Sequence, residues 1–213
     1  MDFLSDEVLL NIFSNLNLKD VGNMSLTCVK FSRLCQDHYV WKSLYQRDFS
    51  SFKIPFLIPD KGLYKCLCKI GVPRKVEKIQ LCKFLLEKYP SEFKINPRYP
   101  TEFQNLLMYT FIYKRYVQVI KGNGGSVERL REISLAILAA AITTLLQILK
   151  RPVELPQVGT SIQLYMYLDE QMAKIETIEF ISIMLVIKGF SKIFDLDPLF
   201  DFAIMFYYRK MIN

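Results

Sequence analysis

The chain has 213 residues, is 51% hydrophobic and carries 28 Lys and Arg against 21 Asp and Glu, a formal net charge of +7. This hydrophobic share excludes a disordered chain and predicts a folded protein of one large or two small domains. Because His38 is the single histidine, mechanisms that need a histidine pair, a three-histidine metal site or a dedicated histidine base are nearly excluded.

The cysteines favour a reducing compartment. The N-terminal residues have an early acidic pair and no basic segment, so we expect no secretory signal. An odd number of thiols argues against a closed disulfide framework. We therefore expect a cytoplasmic or nuclear protein with five unpaired thiols, namely Cys28, Cys35, Cys66, Cys68 and Cys82.

The excess positive charge belongs to one part of the chain. Residues 1–49 hold five basic and six acidic residues, and residues 122–213 hold nine and ten. Residues 50–121 hold fourteen basic and five acidic residues, a net charge of +9. A partner of opposite charge should therefore be sought at this middle segment.

Helix signals begin at the N-terminus. Ser5 is a suitable N-cap, and Asp6 and Glu7 favour the positive end of a helix dipole. A second helical pattern covers residues 74–89. It predicts an apolar face of Val76, Ile79, Cys82, Leu86 and Tyr89, and an outward face of Lys75, Glu77, Lys78 and Lys83.

Further helices are predicted in the second half. Thr101 with Gln104 reads as a capping box before an aromatic-rich helix that extends to Ile120. A Gly-rich turn and Ser126 then introduce an apolar helix, and later caps are expected at Thr160 and at Asp197-Pro198. With scarce strand signals, the sequence predicts an all-α protein of about nine or ten helices.

The apolar stretch Ile133–Leu149 is a candidate membrane span. It contains four polar residues and has charged residues at both ends, whereas a spanning helix needs about 20 mostly apolar residues. We therefore predict a buried core helix and no membrane span.

The first 49 residues carry the most specific pattern. An acidic, apolar run from Leu4 to Leu16 is followed by Leu18, by a Leu-Thr-Cys-Val-Lys-Phe run that starts at Leu26, and by Trp41. This pattern closely resembles the F-box, the helical module of F-box proteins. The family's Pro, Val and Trp are replaced here by Ser5, Thr27 and Phe31, and Val29 stands where the family often has a basic residue.

The resemblance implies a three-helix F-box at residues 1–49 and a helical-bundle domain at residues 50–213. It implies docking on a Skp adaptor, which links the chain to a cullin scaffold and a ubiquitin-conjugating enzyme. A unit of about 45 residues is also too small to bury so much apolar surface alone. The positions expected to dock or to support docking are Leu4, Ile12, Phe13, Leu16, Leu18, Leu26, Cys28, Val29 and Trp41.

The sequence predicts no catalytic or metal site. Cys66, Cys68 and Cys82 with His38 have poor zinc spacing, and Cys35 near His38 lacks an orienting third group. The Gly-rich turn lacks the Gly-Lys-Ser/Thr ending of a phosphate loop. We expect neither an enzyme nor a metal or cofactor.

The basic middle segment, residues 50–121, has three possible interpretations. It is most simply a solvated lysine face, since Lys outnumbers Arg 19 to 9. The second interpretation is a binding surface for an acidic or phosphorylated protein. Nucleic acid is the least favoured partner, because bidentate phosphate contacts prefer Arg. The residues singled out for an acidic partner are Lys65, Lys69, Arg74, Lys75 and Lys78.

The favoured function is a non-enzymatic adaptor that presents an unknown target protein for ubiquitin transfer. The competing hypothesis is a structural or assembly protein, for example of a large virus or pathogen, that uses an F-box-like unit for protein contact. A third is a helical nucleic-acid-binding protein acting through residues 50–121, which would show steep salt dependence.

Overall fold

The computed structural model describes residues 4–51, 54–93, 101–124, 126–148, 153 and 161–173. Within these residues the protein contains nine helices and no strand, which confirms the all-α prediction for the described part. The helices are α1 (Asp6–Asn15), α2 (Leu18–Met24), α3 (Val29–Leu34), α4 (His38–Phe49), α5 (Lys61–Ile70), α6 (Lys78–Lys88), α7 (Thr101–Gly122), α8 (Val127–Ile148) and α9 (Ser161–Ala173). The caps predicted at Thr160 and Asp197 lie outside the described residues.

The chain divides into two compact units. Of the described residues, the first unit comprises those up to residue 51 together with Pro59–Leu81, and the second comprises Ile54–Ile58 and those from Cys82 onward. The sequence places a domain boundary at residue 49, whereas the first compact unit continues through α5 to Leu81.

The first unit begins with four short helices where the sequence predicts three, because residues 18–24 form a helix of their own. Ser5 caps α1 as predicted, and its hydroxyl accepts a hydrogen bond from the Val8 N–H at 3.4 Å. Helix α1 packs against α3 and α4. The rings of Phe13 and Phe31 meet edge to face at 5.3 Å, so the buried side of α1 is anchored to α3.

Helix α5 belongs to the first unit and is capped at both ends. Asp60 caps its start, and Gly71 ends it in the left-handed conformation at φ 78°. The Gly71 N–H bonds to the carbonyls of Leu67 and Cys68, and the Val72 N–H also reaches Leu67. This is a Schellman-type end, which needs glycine because a Cβ is strained at this φ. Helix α5 packs against α4 through its buried residues Leu63, Tyr64, Cys66, Leu67 and Ile70.

Helix α6 differs from the predicted pattern. It begins at Lys78, and its fully buried residues are Leu81 and Leu85. Ile79, predicted to face inward, is 69% exposed, so that prediction is wrong. The four residues predicted to face outward are exposed as expected: Lys75, Glu77, Lys78 and Lys83.

In the second unit, α8 packs against both α7 and α9. By length and composition α8 is long and apolar enough to cross a membrane, and 76% of its apolar window is buried within the protein. The prediction of a buried helix is therefore confirmed for its described residues. Thr143 and Tyr167 share a hydrogen bond of 2.7 Å between their hydroxyl groups, which joins α8 to α9.

A short segment before α5, Ile54–Ile58, belongs to this second unit. The Tyr113 hydroxyl donates to the Pro55 carbonyl, and the Arg129 guanidinium reaches the Ile58 carbonyl at 3.4 Å. Phe56 has a positive φ of 60° and stacks on Tyr167 with ring centroids 5.6 Å apart. The segment is thus held on α7, α8 and α9.

Because Trp41 is the only tryptophan, its fluorescence reports unfolding of the first unit. We predict that Leu67→Ala in α5 lowers the free energy of unfolding seen at Trp41 by about 2–5 kcal/mol, since Leu67 is fully buried. The measurement is a urea titration followed by Trp fluorescence. Ile79→Ala, at an exposed site of the same unit, is the control and should change the free energy by about 0.5 kcal/mol or less. An unchanged Leu67→Ala curve would show that α5 unfolds independently of α4.

Candidate functional site: the exposed faces of the first unit

Large apolar side chains are exposed on α1 and at the start of α3. Leu26 is 85% exposed and Val29 is 88% exposed. Leu4, Val8 and Ile12 are between 43% and 47% exposed. Covering such side chains with a partner removes apolar surface from water, which favours binding. They therefore define a candidate contact face. We call these five residues the apolar face.

Ion pairs hold the two parts of the apolar face together. The Asp6 carboxylate lies 3.2 Å from the Lys30 ammonium and 2.5 Å from the Arg33 guanidinium. The Lys30 ammonium also donates to the Leu4 carbonyl at 3.3 Å. The start of α1 is therefore fixed beside α3, next to Val29.

The remaining predicted docking positions are less exposed or have a local role. Phe13 is fully buried and Trp41 is 3% exposed, so these two support the module from inside. Leu16 and Leu18 are half-buried at the junction of α1 and α2. Cys28 is exposed and caps α3, where its Sγ accepts from the Phe31 N–H at 3.5 Å.

Sequence reasoning missed one member of the apolar face. Val8 lies one helical turn before Ile12 and is exposed to a similar extent. The signal was present, because residues four apart share a helix face. Exposure does not follow from the pattern alone, because an apolar residue inside a regular helical pattern resembles an ordinary core position.

A buried carboxylate lies at the end of α4. Asp48 Oδ1 accepts from Arg47 Nε at 2.8 Å, and Oδ2 accepts from the Tyr64 hydroxyl at 2.6 Å. Oδ2 also lies 3.4 Å from Arg74 Nε, and the Asp48 carbonyl accepts from the Lys75 N–H at 2.7 Å. Asp48 thus binds α4, α5 and the loop after α5 to one another. Arg47, Asp48, Tyr64 and Arg74 are called the Asp48 cluster.

The same cluster reaches the end of α1. Arg47 donates from Nη1 to the Ser14 carbonyl at 3.3 Å and to the Leu16 carbonyl at 3.1 Å. Carbonyls at a helix C-terminus have no partner within the helix and carry partial negative charge. A guanidinium that bonds to them and to Asp48 therefore fixes the geometry between α1 and α4.

Opposing effects determine the pKa of Asp48. Burial of the carboxyl raises its pKa, but hydrogen bonds from Arg47 and Tyr64 and the charges of Arg47 and Arg74 outweigh burial. The net pKa is lower than the ordinary value of 3.8, so the carboxylate is charged at neutral pH. Burial also raises the pKa of Tyr64, which therefore stays protonated and acts as a donor.

Trp41 connects α4 to α3 and α5. Its indole N–H donates to the Cys35 carbonyl at 2.8 Å, and its ring lies 5.8 Å from the Tyr64 ring. The Lys61 ammonium lies 5.6 Å from the Trp41 ring centre and donates to Gln36 Oε1 at 2.7 Å. Burial lowers the pKa of Lys61, and the charge of Lys65 lowers it further.

The predicted acidic-partner residues fall into two groups. Arg74 is paired with Asp48 although its side chain is 60% exposed. The other four are exposed and make no ion pair with any residue that the structure describes. We call this second set the lysine group: Lys65, Lys69, Lys75 and Lys78.

The thiols do not resemble reactive groups. Burial raises the pKa of Cys35, Cys68 and Cys82, so each favours the thiol over the nucleophilic thiolate. Across the described ranges, no three His, Cys, Asp or Glu side chains lie close enough together to hold a metal ion.

Residues 6–47 match the sequence model of the family described as F-box-like, which covers α1, α2, α3 and most of α4. No solved structure matches the chain. The chain therefore carries an N-terminal F-box-like domain, as its resemblance predicted. A domain of this kind implies a Skp-type adaptor as a partner.

The Asp48 pKa predicts how stability depends on pH. Because the folded-state pKa lies below the unfolded value, the stabilisation is present above the unfolded pKa and is lost as pH falls through the folded pKa. We predict that Asp48→Asn lowers the free energy of unfolding at pH 7 by about 1–3 kcal/mol, because Arg47 is left without its charged partner. The difference from wild type should shrink below about pH 4. Trp41 fluorescence in urea at several pH values measures this.

Glu77→Gln is the matched control, since Glu77 is an exposed carboxylate of the same unit. It should follow the wild-type curve at every pH. If the free energies of unfolding of wild type and Asp48→Asn differed by the same amount at every pH, the charge of the Asp48 carboxylate would not be the source of the stabilisation.

Proposed function

We propose that the protein is a non-enzymatic adaptor that docks on a Skp adaptor through the apolar face. The observation that carries this proposal is the exposure of Leu26, in the turn before α3, and of Val29, the first residue of α3, inside the segment that matches the F-box-like family. Neither side chain contributes to the core, so both are available to a partner.

The composition of the apolar face suits a stable protein interface. Its exposed members are aliphatic, and three neighbouring charges are paired with one another, since Asp6 contacts Lys30 and Arg33. Covering the face therefore need not leave these three charges unpaired. Ile12 and the half-buried Leu16 extend the same surface along α1.

The proposal extends to the complex and its target. Through the Skp adaptor the chain would join a cullin-type ubiquitin ligase in the cytoplasm or nucleus, and the rest of the chain would present a target protein. This extension is supported by the F-box-like domain and by the helical region that follows it. The described cysteines with raised pKa values are consistent with a role in contact and not in catalysis.

The structural-assembly hypothesis depends on the same apolar face and differs in the partner. It predicts that the chain sediments with a large particle and recovers neither Skp adaptor nor cullin from extract. The adaptor proposal predicts the opposite pattern in the same experiment.

We predict that Leu26→Asp with Val29→Asp weakens binding to purified Skp adaptor by about 2 kcal/mol or more, roughly thirtyfold, because charged groups replace two apolar contacts. Isothermal titration calorimetry on the full chain measures the affinity. Because both positions are exposed, the variant should keep the wild-type circular dichroism and the wild-type Trp41 fluorescence.

Ile79→Asp is the matched control, because it introduces the same charge at another exposed aliphatic site of the first unit. It should bind the Skp adaptor as wild type does. Equal affinity of wild type and the Leu26→Asp, Val29→Asp variant would remove the apolar face from the interface and overturn the proposal.

A further inference from the structure

The lysine group stands out because its positive charge is not balanced within the first unit. Residues 61–81 hold six basic residues and one acidic residue, a net charge of +5. Of the six, Arg74 is paired with Asp48, and Lys61 lies against Trp41 and Gln36. The lysine group keeps four cationic side chains that are exposed and unpaired among the described residues.

The Asp48 cluster holds together two of the elements that carry the lysine group, α5 and the loop after it. Lys78 follows three residues after Lys75, as the first residue of α6. Lys65 and Lys69 are four residues apart on α5 and therefore share one face of that helix. Arg74 lies near the same helix, since its charge acts on both Tyr64 and Cys68. Its neighbour Lys75 is fixed by the backbone hydrogen bond to Asp48.

The loop that carries Lys75 is fixed in a defined conformation. Lys75 has a positive φ of 57°, which is costly for a residue with a Cβ, and its N–H bond to Asp48 holds it there. Val76 on its other side is buried. The backbone is thus ordered before any partner arrives, which lowers the entropy cost of binding.

An exposed apolar side chain adjoins one member of the lysine group. Ile79 follows Lys78 directly in the first turn of α6 and is 69% exposed. The one aromatic residue of 61–81, Tyr64, is fully buried. The surface therefore offers cations and an aliphatic contact, but no ring on which a nucleic-acid base would stack.

We propose that the lysine group and Ile79 bind an anionic peptide segment that has an apolar residue among its acidic groups. In the adaptor function proposed above, on which this inference rests, that segment belongs to the target protein. Carboxylates and phosphoserines supply the same anionic chemistry, and either suits flexible lysine ammonium groups.

The probe is a fluorescent synthetic peptide with glutamates on both sides of one leucine, and fluorescence anisotropy with the full chain measures binding. Lys65→Glu with Lys69→Glu should weaken binding by about tenfold or more, because two attractions become repulsions. Ile79→Ser should weaken it by about fivefold through the lost apolar contact. Raising salt toward about 1 M, where the screening length falls to about 3 Å, should abolish the charge contribution.

Lys19→Glu with Lys42→Glu is the matched control. Both lysines are exposed in the first unit and lie outside the lysine group, so this variant has the same net charge as the Lys65, Lys69 variant. It should bind the peptide as wild type does. An equal loss in the two variants would show an effect of net charge alone and would overturn the proposal.

Two further probes separate the sources of the anionic chemistry. A phosphoserine peptide that binds more tightly than the glutamate peptide would identify a phosphorylated segment, and the reverse would identify a carboxylate-rich one. Tighter binding of a single-stranded oligonucleotide than of both peptides would overturn the proposal in favour of nucleic acid. Failure of both peptides to bind at low salt would also overturn it.

The two proposed surfaces can fail separately. The Lys65→Glu, Lys69→Glu variant should keep wild-type affinity for the Skp adaptor, and the Leu26→Asp, Val29→Asp variant should keep wild-type affinity for the peptide. Peptide binding without adaptor binding in the wild-type chain would refute the docking proposal and leave the anionic-peptide site standing.

Discussion

The charged contact of Asp48 is the interaction on which the organisation of the first unit depends. A buried carboxylate is costly unless charged donors surround it, and here Arg47, Tyr64 and Arg74 supply them. Each of these donors comes from a different place in the fold: α4 itself, α5 and the loop after α5. Through Arg47 the same network reaches the end of α1. Hydrogen bonds and ion pairs of Asp48, together with apolar packing, therefore join the F-box-like helices to residues 59–81. This agrees with a compact unit that extends to Leu81.

This arrangement gives one small unit two chemically different surfaces. The apolar face on α1, α3 and the residues just before them is aliphatic, and Asp6, Lys30 and Arg33 beside it are paired. The lysine group on α5, the following loop and the first residue of α6 is cationic and unpaired among the described residues. In the proposed adaptor function, the two surfaces would bind partners of different chemistry without competition for the same side chains.

Local patterns predicted more of the fold than of the site. Caps such as Ser5 depend on neighbouring residues, so the helices could be read from the sequence. The exposure of Leu26 and Val29 could not, because apolar residues at helical spacing look the same in a core and at an interface. Ile79 lies outside the core because α6 buries the face of Leu81 and Leu85, four residues apart, and not the face predicted from Ile79, Cys82 and Leu86. Arg74 was expected to meet a partner, but its contact with Asp48 joins residues 26 positions apart, which no local pattern reveals.

Hydrogen–deuterium exchange of the full chain, with and without purified Skp adaptor, tests docking through the apolar face most directly. Docking through the apolar face should slow exchange at the amides of α1 and at residues 26–31 when adaptor is present, with unchanged exchange along α5. Unchanged exchange at α1 and at residues 26–31 in the presence of saturating adaptor would refute docking through this face.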